Sequence, residues 1–70
     1  MRENDTSTLQ HAVEGQEIGG DGVIVLPAGT AVTIALTLDA PGLPKAYEVE
    51  AYIKSKDKYY TATVKASDLC

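Results

Sequence analysis

The chain has 70 residues with 6 Lys and Arg against 10 Asp and Glu, a formal charge of −4, and a 44% hydrophobic content in which Trp and Phe are absent. So few cations argue against binding nucleic acid through phosphates, and neither an apolar run of about 20 residues nor a signal-peptide core is present, which predicts no nucleic-acid and no membrane partner and a cytoplasmic chain, or a fragment of a larger or virion protein. A lone Cys70 excludes an internal disulfide, and His11 far from it gives no metal-ligand spacing, so self-association is the support left to a core this thin.

Residues 1 to 8 are polar and read as a flexible tail, with 9 to 70 forming one small β domain. Asp5 or Thr6 can N-cap a short helix carrying Leu9, Ala12 and Val13 on one face and ending at Gly15. Gly19, Gly20 and Gly22 then form a turn. Val23 to Leu26 is a β-branched run bounded by glycine and Pro27, which predicts a strand buried on both faces or set at a crowded edge. Leu26-Pro27-Ala28-Gly29 fits a type I turn with proline second and glycine fourth.

Thr30 to Leu38 alternates, with Val32, Ile34, Leu36 and Leu38 on one side and Ala31, Thr33, Ala35 and Thr37 on the other. After Asp39 to Pro44 come two further alternating runs, Tyr47 to Lys54 and Tyr59 to Ala66. A four-residue loop on Ser55 to Lys58 would join them, pairing Ile53 with Tyr60, Ala51 with Ala62, Val49 with Val64 and Tyr47 with Ala66. Glu48 would then oppose Lys65, and Tyr52 and Tyr59 would be diagonal neighbours on the outer face. Three long strands and a short fourth predict an all-β fold, a small antiparallel barrel or partial sandwich of SH3-like or Ig-like type. A β-grasp fold is the alternative, and it requires the N-terminal helix.

Residues with chemical potential are few. His11 and Glu14 stand at helical spacing, but no nucleophile accompanies them, and a solvated surface accounts for both. The glycine-rich stretch precedes a strand, lacks lysine and contains Glu17 and Asp21, so it is no phosphate cradle. No catalytic, cofactor-binding or metal-binding residue is assigned, and the chain is read as no enzyme. The candidate interaction surface is Thr33 and Thr37, small and opposite the core, with Tyr52 and Tyr59, because tyrosine joins a rigid apolar ring to a polar tip. Cys70 is a candidate modification point.

The stretch DGVIVLPAGTAVTIALTLDAPG resembles the LPAGT strand-turn-strand element of β-rich scaffold proteins of bacterial type IV secretion and conjugation machines. YEVEAYIKSKDKYYTATVKAS resembles an Ig-like strand pair of phage tail or baseplate proteins. Both resemblances imply a part in an assembly. The function expected is a structural or protein-binding module that forms a homo-oligomer or pairs its sheet edge with a partner, with a carrier or modified peptide using Cys70 as the alternative.

Overall fold

The computed structural model describes residues 2 to 69 and is all-β. In chain order the strands are β1 (Thr6–Thr8), β2 (Val13–Glu17), β3 (Val23–Leu26), β4 (Ala31–Leu38), β5 (Ala46–Ile53) and β6 (Lys58–Lys65), followed by a 3-10 turn at Ala66–Asp68. They form one antiparallel sheet in the order β1-β4-β5-β6-β2-β3. Chain connectivity dictates its shape. The linkers from β1 to β2 and from β3 to β4 are four residues each, yet each joins strands four places apart in the sheet. A flat sheet would separate those strands by about 19 Å. A four-residue linker reaches about 17 Å when fully extended. The sheet therefore curls into a half-barrel.

The inside of the curl holds the core, built on Leu9, Leu26, Val32, Ile34, Tyr47, Val49, Ala51, Tyr60, Ala62, Val64 and Leu69. Val13, Ile24 and Ile53 pack at its margin. The small barrel or partial sandwich expected from the alternating strands is the fold observed.

Several local expectations are corrected. The segment proposed as a helix is strand: residues 6 to 8 pair with β4, and β2 begins at Val13. Local capping signals were outweighed by ladder bonds, with Asn4 N donating to Ile34 O at 2.7 Å and Ile34 N to Asp5 O at 2.8 Å. The expected tail is thus bonded to the sheet from Asn4 onward, and without a helix the β-grasp alternative falls. At Pro27 the turn lies one residue later than expected. Thr30 N donates to Pro27 O, which places Gly29 third with φ +89°, a conformation that suits glycine and that a type I turn does not contain.

The β5–β6 hairpin is shifted by two residues. Tyr52 pairs with Tyr59, Ala51 with Tyr60, Val49 with Ala62, Tyr47 with Val64 and Glu48 with Thr63, so neither Val49–Val64 nor Glu48–Lys65 is a direct pair. A shift of two keeps every side chain on its face, which is why the alternation could not distinguish the two registers. The loop spans residues 54 to 57, and Asp57 takes the left-handed conformation at φ +52°.

Candidate functional site

On the outer face of the sheet a continuous row crosses all the strands: Thr6, Thr33, Glu50, Thr61, Gln16 and Val23 stand opposite one another in turn. The row beside it carries the aromatics. Tyr52 and Tyr59 face each other directly, with ring centroids 5.0 Å apart and planes tilted by 51°. Ile18 follows β2 and donates its N–H to the Tyr59 carbonyl at 2.9 Å, which brings a third exposed apolar side chain beside the pair. Tyr52 and Tyr59 are 47% and 56% exposed, and both rings stand open to a partner.

The Tyr52 hydroxyl donates to the Asp57 carboxylate across the hairpin loop. That bond, then desolvation and the neighbouring Tyr59, push the Tyr52 phenol above its ordinary value of 10.0. The ring is held in place from its polar tip. Two clefts of about 490 and 350 Å³ flank Tyr59, and both reach Glu50. A wider groove of about 590 Å³ runs past Ala35, Glu48, Glu50 and Thr61 to the β2–β3 turn, with Glu17 and Asp21 at its far wall. Its carboxylates repel anions. Thr61 Oγ1 donates to Glu48 at 3.3 Å, and Lys58 Nζ meets Glu17 at 3.2 Å.

The candidate residues read from sequence divide. Thr33, Tyr52 and Tyr59 share the outer face, but Thr37 does not, and this is a correction. The β4–β5 register shifts between Ile34 and Leu36, so Ala35 is the extra residue of a β-bulge. Beyond it the faces exchange. Thr37 pairs with Tyr47 and is half-buried on the core side, while Leu36 opposes Glu48 and is 43% exposed. Leu36 and Leu38, expected in the core, stand on the outer face instead.

Of the two placements expected for Val23 to Leu26, β3 takes the edge and not the doubly buried one, and that edge is open: Val23 and Val25 are 56% and 65% exposed. Ile18, Val23, Val25, Leu36 and Leu38 are surface residues that sequence reasoning missed. For Val23 and Val25 the signal was the edge alternative already present in the β-branched run. For Leu36 there was none, because a bulge leaves no mark in an alternating sequence.

His11 sits in an exposed bend and Glu14 in β2, so the helical spacing that would have joined them is absent. Among the described residues no three His, Cys, Asp or Glu side chains converge as a metal site, and no helix is long and apolar enough to cross a membrane. Cys70 lies outside the described residues. No protein-family model matches the chain, and comparison with curated proteins and with solved structures gives no significant match.

Proposed function

We propose that the chain is a non-enzymatic protein-binding module, a structural part of a larger assembly, acting by self-association or by pairing its sheet edge with a partner. The observation that carries this reading is the apolar character of what the sheet leaves uncovered: Ile18, Tyr52 and Tyr59 in one cluster, and Val23 and Val25 along one edge. Clustered apolar surface on a small domain marks contact sites, and tyrosines supply contact area at low entropic cost. An uncovered edge strand offers backbone donors and acceptors to an incoming strand. An assembly of secretion or phage type is the setting the sequence resemblances imply.

The test is light scattering behind a sizing column, together with a photo-reactive residue placed at position 25 or 59 and irradiated in the native cells. Association above the 7.4 kDa monomer, or discrete crosslinked products, is the expected result. A clean monomer with no crosslinked product from either position would remove the reading.

A further inference from the structure

The open edge of β3 is complementary to itself, and we infer that it pairs antiparallel with β3 of a second copy about a two-fold axis at Ile24. This names the partner of the protein-binding reading and rests on it.

Hydrogen bonding fixes which backbone groups are open. Glu17 N donates to Gly22 O at 2.7 Å, and the same β2–β3 register continues through Gly15 with Ile24 and Val13 with Leu26. Bonded pairs alternate along an antiparallel ladder, so Gly22, Ile24 and Leu26 turn their N–H and C=O groups toward β2. Val23 and Val25 turn theirs toward the open edge. The other side of β2 agrees with this phase: Ile18 N bonds Tyr59 O in register with the Gln16–Thr61 pair, which leaves Gly15 and Glu17 to β3.

Each copy thus presents its open donors and acceptors on two residues placed symmetrically about Ile24. When Val23 of one copy opposes Val25 of the other, each N–H meets a C=O, and the reciprocal pair does the same across the axis. No outward group of either valine is left over. Side chains follow the same symmetry. Val23 and Val25 both stand on the outer face, so each exposed valine lies beside another, and apolar surface covers apolar surface.

Charge permits it. Val25 is flanked by Glu14 and Val23 by Gln16, so each joined row runs Glu14, Val25, Val23, Gln16 and ends on one carboxylate and one amide. No carboxylate faces a carboxylate. β3 also lacks the lysine, proline or bulge that guards an edge against pairing. β1, the opposite edge, is three polar residues long.

A four-residue edge makes an interface below the about 1,200 Å² of stable complexes, so the association is weak and is sought between about 10 µM and 1 mM. Sedimentation or light scattering of the full chain should show a monomer–dimer equilibrium in that range. Val25→Pro removes an outward N–H and no bond to β2, and should weaken the association at least tenfold with an unchanged circular dichroism spectrum. In a Cys70→Ser background, Ile24→Cys should form an intermolecular disulfide, because a facing non-bonded pair has Cα atoms about 4.5 Å apart, within disulfide reach. Val23→Cys, two residues out of register with its own copy, should crosslink at least tenfold more slowly.

Dimers that survive Val25→Pro, with Ile24→Cys crosslinking no faster than Val23→Cys, would overturn the β3 pairing and leave self-association standing. A monomer at about 1 mM that still crosslinks to other proteins from position 25 or 59 would overturn the second copy as partner and leave the binding reading intact. If Val25→Pro fails to fold, the two cysteine variants decide the question alone.

Discussion

Val49 and Glu50 are chain neighbours with opposite surroundings. Val49 is fully buried against the half-barrel core, while Glu50 stands exposed among threonines on the outer face. Val49→Asp puts an unpaired carboxylate where no hydrogen-bond partner awaits it, and should cost about 3 kcal/mol or more. Glu50→Thr continues the existing threonine row and should change stability by less than about 0.5 kcal/mol. Thermal melts followed by circular dichroism separate the two, and equal shifts would show that the face assignment is wrong. A second prediction concerns the Tyr52 phenol, held above its ordinary value chiefly by its bond to Asp57. A group raised on folding contributes stability that is complete below its unfolded value near 10.0 and fades as the pH climbs through the folded value. Asp57→Asn keeps an acceptor and tolerates the left-handed backbone, but removes the charge that favours the protonated ring. Ultraviolet titration, read as the difference from Tyr52→Phe, should show the phenol moving down toward its ordinary value, and an unchanged titration would refute the role of Asp57.

At the level of elements, how much the sequence disclosed depended on whether a competing arrangement changes a face. Alternation located β4, β5 and β6 and assigned Tyr47, Val49, Ala51, Tyr60, Ala62 and Val64 to the core, because any odd shift would expose them. An even shift leaves that pattern intact, so the hairpin register was not legible. Nor was the bulge at Ala35, which moved Thr37 out of the candidate surface and brought Leu36 into it. Tyr52 and Tyr59 were readable as a surface pair under either register. β2 was the hardest element to read, since Val13 to Glu17 holds a glycine and two glutamates and has weak strand propensity. Gly15 explains its place. A Cβ there would stand 2.8 Å from Leu26 Cδ1, so the bare backbone makes the room that lets Leu26 be fully buried. Gly15→Val, though a better strand former, should therefore destabilise the fold by about 1–3 kcal/mol. Leu26→Ala, costly by itself because Leu26 is fully buried, should cost less in the Gly15→Val chain than in the parent, making the double variant better than additive in denaturant titrations. Strict additivity would mean that the two side chains do not compete for space.

For the molecule as a whole, short linkers force the sheet to curl, but an open half-barrel leaves one end of the core to be closed. Leu9 and Leu69 close it. They face each other in an isolated antiparallel bridge, both nearly fully buried, and Gln10 fastens the contact from both its backbone and its side chain. Its N–H donates to Asp68 O at 2.8 Å and its Nε2 to Leu69 O at 2.7 Å. Leu9 also bonds the β3–β4 turn, donating to Thr30 O at 3.0 Å and accepting from Gly29 N at 2.7 Å. One leucine thus links the β1–β2 connection, the β3–β4 turn and the segment after β6. Among the described residues only six of the eleven core side chains are leucine, isoleucine or tyrosine, so each large one matters, and total stability for a domain of this kind is about 5–15 kcal/mol. Leu9→Ala and Leu69→Ala should each cost about 2–4 kcal/mol, because neither site can collapse without drawing in backbone that is bonded elsewhere. Since each leucine rests on the other, removing the second costs less once the first is gone, and the double variant should fall short of the sum by about 0.5–3 kcal/mol. Urea unfolding of the two single variants and the double variant measures this coupling directly. Additive losses would mean that the two segments seal the core independently, and that the bridge between them is a neighbour relation without energetic consequence.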